Sequence, residues 1–373
     1  MIKRILAPSI EQALFKGKAI IIYGARQVGK TTLLGDIFDT KASVLRISGD
    51  DPDIQQLFEN ATSERLQLYF GSYKIIVIDE AQLIPNIGLR LKLITDYIKD
   101  IQLVATGSSS FELANKLNEP LTGRKWQYTM YPLSFGEMVS HQGLITERRS
   151  LNHRLVYGYY PDVVVHAGDE KQILKLLTDS YLYKDIFRLD TIKKPEKLTT
   201  LLQAIAYQIG GQVSYNELAQ TCGLDNKTVE KYIQMLEQAF VIFRLGSYNR
   251  NLRNELKFSR KIYFYDNGVR NALISNFEIA EKRTDIGALW ENFLVSERIK
   301  SINYKSVWAN TWFWRTTEGQ EVDYIEEVDG KINAFEFKWA ENKKNKIPGT
   351  FKRYYPDIPI NIIHQGNFET FLL

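Results

Sequence analysis

Through its first half the chain alternates short β-branched apolar runs with stretches of helical apolar spacing. Ala19 to Tyr23, Val44 to Ile47, Tyr73 to Ile78, Ile101 to Thr106 and Trp126 to Tyr131 are the β-rich runs. Several are apolar at nearly every position, the pattern of strands buried on both faces, and helical segments between such strands predict a parallel α/β sheet. The loop Gly158-Tyr159-Tyr160-Pro161-Asp162 and the charged helical stretch after His166 predict an exit from this sheet near residue 165. Beyond it the period changes. Ser214-Tyr215-Asn216-Glu217 reads as a capping box opening a short helix, Gly223 permits a turn, and Asp225 can cap a second helix with the stripe Val229, Tyr232, Ile233, Leu236 and Phe240. That spacing is helix-turn-helix, and the runs Val241 to Leu245 and Lys261 to Tyr265 predict a wing beside it. Further on, Trp312 to Arg315 turns at Glu318-Gly319 into Glu321 to Ile325, and Asp329-Gly330 closes a hairpin with Ile332 to Lys338. Three domains are expected: 1–165, 166–275 and 276–373.

The first domain carries a phosphate loop. Between the run ending at Tyr23 and a helix containing Leu33, Leu34, Ile37 and Phe38 lies GARQVGKT, that is Gly24, Ala25, Arg26, Gln27, Val28, Gly29, Lys30 and Thr31, followed by Thr32. Glycines at this spacing let backbone N–H groups close around phosphate, and the helix N-terminus adds its positive end. ATP is the expected ligand, with Lys30 reaching the β and γ phosphates and Thr31 ligating Mg²⁺. Asp79 emerges from a buried run at the carboxyl edge of the sheet and is the second expected magnesium ligand; Glu80 beside it can orient or deprotonate water. Ser108, in Gly107-Ser108-Ser109-Ser110, could sense the γ-phosphate or belong to an ordinary Ser-rich turn. Arg124 could supply a cation in cis or to a neighbouring subunit, or be a solvated surface arginine.

In the last domain, alternation puts Glu336 and Lys338 on one face of a strand and Phe335 and Phe337 on the other. Asp323 on the partner strand can join Glu336 around a hard divalent cation, for which carboxylate oxygens are the natural ligands. Lys338 would position the nucleophile or stabilise a pentavalent phosphate. Glu291 shares a helix face with Ala288, Leu294 and Val295, so it either joins this site or snorkels to solvent.

Composition narrows the setting. A chain of 373 residues with 44% hydrophobic and 25% charged content is that of a folded multi-domain protein. No apolar run approaches the roughly 18 residues that span a bilayer, and Met1 to Ile10 lack a signal-peptide core, so a cytoplasmic location without membrane contact is expected. Cys222 is the single cysteine, and His141, His153, His166 and His364 lack ligand spacing, which excludes disulfide and zinc frameworks. The net charge is +4, so nucleic-acid affinity must come from local clustering. The exposed face of the second helix, Asn226, Lys227, Glu230, Lys231, Gln234 and Glu237, is neutral. Arg244, Arg250, Arg253, Lys257, Arg260 and Lys261 are opposed only by Glu255 and mark the wing as the phosphate-contacting flank.

The order helix Glu291, Asp323, hairpin, Glu336-x-Lys338 resembles the PD-(D/E)xK nuclease core, with Val322 where the motif's name has proline. Across nearly the whole chain, GARQVGKT, KIIVIDE, TGSSS, LTGR, YPLSF, the YPD loop, YFYDNG, GALWENF, EVDYI and FEFKW together resemble a bacterial and archaeal group of AAA+-type ATPases with a winged helix and a further C-terminal domain. The resemblance implies an α/β P-loop NTPase sheet of the AAA+/ASCE kind, then a winged helix-turn-helix and an α/β PD-(D/E)xK-like domain. It also implies ATP hydrolysis coupled to a metal-dependent nuclease-like module in a homo-oligomer, with DNA the favoured partner. The alternative is a nucleotide-gated regulator that binds DNA or protein without cleaving.

Overall fold

The computed structural model describes residues 2–108, 121–181, 195–248, 260–341 and 349–373. Contacts divide the chain into two compact units, 1–132 with 238–240 and 133–237 with 241–373.

The first unit is built on five strands: β1 Ala19–Gly24, β2 Val44–Ser48, β3 Ile75–Asp79, β4 Gln102–Gly107 and β5 Lys125–Met130. All neighbours are parallel, in the order β2-β3-β4-β1-β5. Every residue of β1 is buried, as are Ile75 to Ile78 of β3, which explains their unbroken apolar sequence. Helices Lys30–Phe38, Pro52–Glu59, Ser63–Phe70 and Ile87–Tyr97 lie among these strands along the chain. On one side of the sheet Ile21, Tyr23, Phe58, Leu66, Ile76, Ile78, Leu91 and Ile94 close a common core. Because β1 sits between β4 and β5 while the chain leaves it for β2 at the far edge, the carboxyl ends of β1, β3 and β4 border the crevice where open α/β sheets bind ligands.

The second unit holds one seven-stranded sheet, ordered β12-β11-β10-β9-β7-β8-β6. Its strands are β6 Gln212–Val213, β7 Ile242–Ser247, β8 Arg260–Phe264, β9 Ala309–Arg315, β10 Glu321–Val328, β11 Lys331–Phe337 and β12 Ile360–Ile363. The strands expected as a wing, β7 and β8, pair antiparallel, and β7 also pairs parallel with β9 at Gly246↔Trp312 and Ser247↔Phe313. Wing and C-terminal hairpin therefore share a sheet. Helices Tyr215–Cys222 and Asn226–Gln238 stand where the helix-turn-helix spacing predicts them, except that Phe240, expected on the stripe of the second, falls past its end with a left-handed φ of 57°. Asp225 caps the second helix through Thr228 N–H (2.9 Å), but the expected capping box at Ser214 is half made. Ser214 accepts from Glu217 N–H, whereas the Glu217 carboxylate turns away to accept from Gln208 (3.0 Å).

The hairpin β10–β11 turns at Asp329 (φ 50°) and Gly330 (φ 75°), the two left-handed residues of a type I′ turn. Between Val322 and Ile325 the register of β10 against β9 slips, so a β-bulge lies at Asp323 and Tyr324 and re-aims side chains there. The helix Ile286–Tyr304 is pinned to β8 by Asn292, whose amide exchanges hydrogen bonds with the Phe264 backbone (2.8 and 3.0 Å). No helix among the described residues is long and apolar enough to cross a membrane.

Candidate functional site

The first candidate lies at the end of β1. The chain at Gly24 passes so close to β5 that a Cβ there would sit 2.3 Å from the Met130 carbonyl oxygen, so only glycine fits. Gln27 (φ 59°) and Gly29 (φ 94°) adopt left-handed conformations, folding the loop before the helix starts at Lys30. The Lys30 ammonium is buried and reaches back to the Gly24 and Ala25 carbonyls (2.9 and 2.8 Å). Arg26 is half-buried, while Gln27, Thr31 and Thr32 are exposed. Buried Arg4 donates to the Val28 and Tyr131 carbonyls (both 2.7 Å) and ties the loop to the segment after β5. Sequence reading missed Arg4, since nothing marks an arginine so far from the motif as its support.

Thr31 Oγ1 donates to Asp79 Oδ2 (2.8 Å), bringing together the hydroxyl and carboxylate expected to hold magnesium. The other oxygen of Asp79 accepts from Thr106 Oγ1 and from Glu80 N–H (3.1 Å). Glu80 itself has φ 46°, a left-handed conformation that a non-glycine residue keeps only when its surroundings impose it. One of those surroundings is Gly49, where a Cβ would meet the Glu80 carbonyl oxygen at 2.3 Å. Gln82 holds the Glu80 carboxylate (2.5 Å) and also donates to Ser108 Oγ (3.1 Å). Lys30, Thr31, Asp79, Glu80 and Ser108 thus converge on the carboxyl edges of β1, β3 and β4. Thr106 and Gln82 join them unforeseen; the signal for Thr106 was a hydroxyl ending an apolar strand. Ser109 and Ser110 lie outside the described residues.

Arg124 is not brought to this edge. Its carbonyl accepts from Ala19 N–H (2.9 Å), at the start of β1, one strand length or roughly 17 Å from Gly24. Its guanidinium pairs instead with Asp96 (2.6 Å).

The second candidate is a carboxylate cluster in the second unit. Glu291, Glu321 and Asp323 each offer an oxygen, all within 4.8 Å of one another. Lys261 of β8 extends into them, 2.7 Å from Glu291 Oε1 and paired also with Glu321, and its side chain is 0% exposed. The Tyr263 hydroxyl donates to Glu291 (2.6 Å), Arg315 meets the outer oxygen of Glu321 (3.0 Å), and Phe337 N–H donates to Asp323 (2.7 Å). Lys338 Nζ lies 2.6 Å from Glu336 Oε1; Glu336 Oε2 is buried with no hydrogen-bond partner among the described residues. Burial, then the charges of Glu291 and Glu336, push the Asp323 carboxyl well above the usual carboxylate range despite Lys261. Burial also raises Glu336, Lys338 draws it down, and Glu291 and Glu321 push it up again. The Lys261 ammonium, penalised by burial, is nonetheless raised by Glu291, Asp323 and Glu321. This donor set suits a hard divalent ion, and the orphaned Glu336 oxygen is the kind of group one would satisfy.

Glu291 and Asp323 are thus brought together, with Glu321, which sequence reading did not assign to the site, as the third member. Glu336 pairs with Lys338 and is not one of the three close oxygens, and Glu291 does not snorkel. The basic flank is corrected. Lys261 is buried in the cluster, Arg244 forks onto Glu237 (2.7 and 2.5 Å), and Arg260 donates to the Tyr215 hydroxyl (3.0 Å) while stacking on its ring. A charge count along the chain cannot see partners supplied by other segments. Glu237, taken as part of the neutral exposed face, belongs to that internal pair. Arg250, Arg253, Glu255 and Lys257 lie outside the described residues.

Comparison with known proteins agrees with the first unit. Residues 16–139 match a family model described as AAA domain. Residues 148–280 and 286–368 match two described as domains of unknown function, DUF8612 and DUF4143. An uncharacterized protein of Haemophilus influenzae is 27% identical over 281 residues, 68% of each chain. Another, of Mycobacterium tuberculosis, is 25% identical over 346 residues, 90% of this chain and 74% of that one. Among solved structures, the Walker-type ATPase PABY2304 of Pyrococcus abyssi is similar in fold, with a TM-score of 0.51 at 14% identity over 74% of this chain and 96% of that one. The first unit carries an AAA-type P-loop ATPase-like domain.

Proposed function

We propose that this protein hydrolyses ATP at the phosphate loop and that nucleotide state governs a magnesium-dependent, nuclease-like centre in the second unit acting on DNA. The observation that carries the ATPase reading is the hydrogen-bonded line Thr31, Asp79, Thr106, with Glu80 next to it. Thr31 and Asp79 are the residues that would hold Mg²⁺, which when bound would neutralise charge on the β and γ phosphates. The loop N–H groups bind the phosphates, and Lys30 leaves its two carbonyls for the terminal phosphate. Glu80, oriented by Gln82, takes the proton of the attacking water, and Ser108 stands at the γ-phosphate end. Steady-state hydrolysis by wild type and Glu80→Gln, with nucleotide binding measured in parallel, tests this. A Glu80→Gln protein that turned over normally would remove Glu80 from the role of base.

For the second centre, Glu291, Glu321 and Asp323 are the residues that would hold a divalent ion, with Glu336, the ligand expected from sequence, carrying a further buried oxygen. Such an ion, when bound, would activate water and neutralise a scissile phosphate. Lys338 positions the phosphate. Cleavage of linear, circular and single-stranded DNA with Mg²⁺ or Mn²⁺ is the test, and cutting that survives both Asp323→Ala and Lys338→Ala would exclude this site. A specific observation favours the second reading, a nucleotide-gated regulator that binds without cutting: Lys261 already pairs with two of the carboxylates, while Arg244 and Arg260 are engaged internally. Assembly into a homo-oligomer, tested by mass measurement with and without ATP, is compatible with either.

A further inference from the structure

We infer that Lys261 is the resident cation of the Glu291, Glu321 and Asp323 oxygens, so that a divalent ion enters this cluster only in competition with its ammonium. The inference rests on the reading of the second unit as a metal centre, but not on whether that centre cuts DNA.

Position comes first. Lys261 lies on an interior strand, paired with Gln212 of β6 on one side and Leu245 of β7 on the other, so its backbone is fixed and its side chain is aimed by the pleat. The neighbouring stretch of β8 is locked to the helix that carries Glu291 through the Asn292–Phe264 exchange. The ammonium is fully buried, pairs with Glu291 and Glu321, and lies 5.5 Å from the centre of the Phe313 ring. A lysine in such a place is a cation built into the fold, in contrast to one drawn in from solvent.

Charge comes second. Counted formally, Glu291, Glu321, Asp323 and Glu336 bring four negative charges, and Lys261, Arg315 and Lys338 bring three positive ones, leaving −1. A divalent ion added to that set overshoots to +1; with the Lys261 ammonium withdrawn, the same ion brings the set to zero. Two cations a few ångströms apart in a buried site repel strongly, so the balanced arrangement is the one in which they exchange. The Lys261 stem has four rotatable carbons, enough to swing its head away without moving β8.

A third observation points independently to a ligand. Glu336 is nine-tenths buried, its Oε2 has no partner among the described residues, and the charges of Glu291 and Glu321 act on it. Lys338 serves the other oxygen of Glu336 and Lys261 serves Glu291 and Glu321, so this buried oxygen has no cation of its own.

The experiment is Mn²⁺ binding to the full chain without nucleotide, by calorimetry and by loss of the free-ion electron-spin signal. Lys261→Met keeps the stem and removes the charge. It should bind Mn²⁺ tighter than wild type by about tenfold or more, and adding Asp323→Asn should abolish the gain. Equal affinity in wild type and Lys261→Met, or a gain that survives Asp323→Asn, overturns the inference. If Lys261→Met folds only with Mn²⁺ present, the inference is supported, because the ion then replaces the missing ammonium. Should it fold under neither condition, Lys261→Met/Glu321→Gln is compared with Glu321→Gln alone; the same gain is expected, and its absence overturns the inference. Failure of every variant to cut DNA would count against the nuclease reading and leave this affinity comparison intact.

Discussion

The two candidate sites solve the problem of holding charge in opposite ways. At the phosphate loop the work falls to the main chain: a contiguous run from Gly24 to Thr31 folds through the left-handed residues Gln27 and Gly29, and the buried cation, Lys30, rests on backbone carbonyls. In the second unit side chains from β8, the helix Ile286–Tyr304 and β10 oppose one another, with Lys261 meeting Glu291 and Glu321 from distant segments, while Lys338 pairs locally with Glu336. A main-chain site is specified by contiguous sequence and needs a ligand to complete it. A side-chain assembly is largely compensated at rest, the Glu336 Oε2 atom apart, and removal of a single partner leaves a buried charge without compensation.

The sharpest way to break this contrast is at Glu80, where one side chain is asked to do chemistry in a backbone site. Glu80→Gln should lower ATP turnover by roughly 10²- to 10⁴-fold, the range of a lost general base, while retaining nucleotide binding. Next in size is a stability effect in the second unit. Asp285 receives Arg270 (2.7 Å) and Arg283 (2.8 Å), both nearly inaccessible. Asp285→Asn should destabilise the protein by about 3 kcal/mol or more in urea unfolding at neutral pH, since it strands two buried guanidinium groups. The pH dependence has a definite sign. Burial pushes the Asp285 carboxyl up, but hydrogen bonds and charges from Arg283 and Arg270 outweigh it and hold it below the ordinary value. The carboxylate's contribution is therefore fully present above about pH 4 and fades as pH falls through the folded-state value. The difference between wild type and Asp285→Asn should shrink accordingly in acid.

Lys30→Ala comes next. It removes the ammonium but leaves the loop backbone, so nucleotide affinity should fall by about a hundredfold, or about 2.7 kcal/mol, with the melting curve of the nucleotide-free protein little changed. A large loss of stability would mean that Lys30 holds the loop together, a role the contrast assigns to Arg4 and the backbone.

This asymmetry also explains what could be read from residues alone. The strands β1, β3 and β4, the loop, and the Asp79–Glu80 pair stood out because their signals are local: apolar runs, glycine spacing, an acid at a strand end. The β10–β11 hairpin announced itself through Asp329-Gly330 for the same reason. Lys261, Glu321, Tyr263 and Arg4 were illegible or misread because their meaning depends on segments brought near by the sheets. Lys261 in particular looked like a phosphate-contacting wing residue until β8 placed it against Glu291. Even the half-made capping box at Ser214 follows this rule, since the competitor for Glu217 is Gln208 from the preceding segment.

A smaller effect tests the hydroxyl that sequence reading overlooked. Thr106→Val deletes the donor to Asp79 and the acceptor for Glu80 N–H (3.3 Å) while preserving shape. A hydrogen bond to a charged group is worth about 1.5 to 3 kcal/mol when lost. Turnover should therefore drop about tenfold with KM for ATP nearly unchanged, because the phosphate cradle is untouched. A change in KM alone would mean that Thr106 supports binding and not the alignment of Asp79 with Glu80.

The smallest effect is expected at Arg124, where sequence supplied a charge but could not say which edge of the sheet it occupies. Five parallel strands give the first unit two unlike ends, and Arg124 N–H and C=O groups are engaged at the amino-terminal one, bonded to Leu121 and Ala19. Its pair with Asp96 is partly solvated, with 42% and 27% of the two side chains exposed, so it contributes at most about 1 kcal/mol. Arg124→Ala should leave ATP affinity and turnover of the dilute protein within about twofold of wild type. Loss of turnover in dilute protein would require a reach across the length of β1 that the parallel register forbids. Loss confined to high protein concentration would instead assign the guanidinium to a neighbouring copy's nucleotide, so the dependence on concentration, more than the size of the effect, decides what this arginine does.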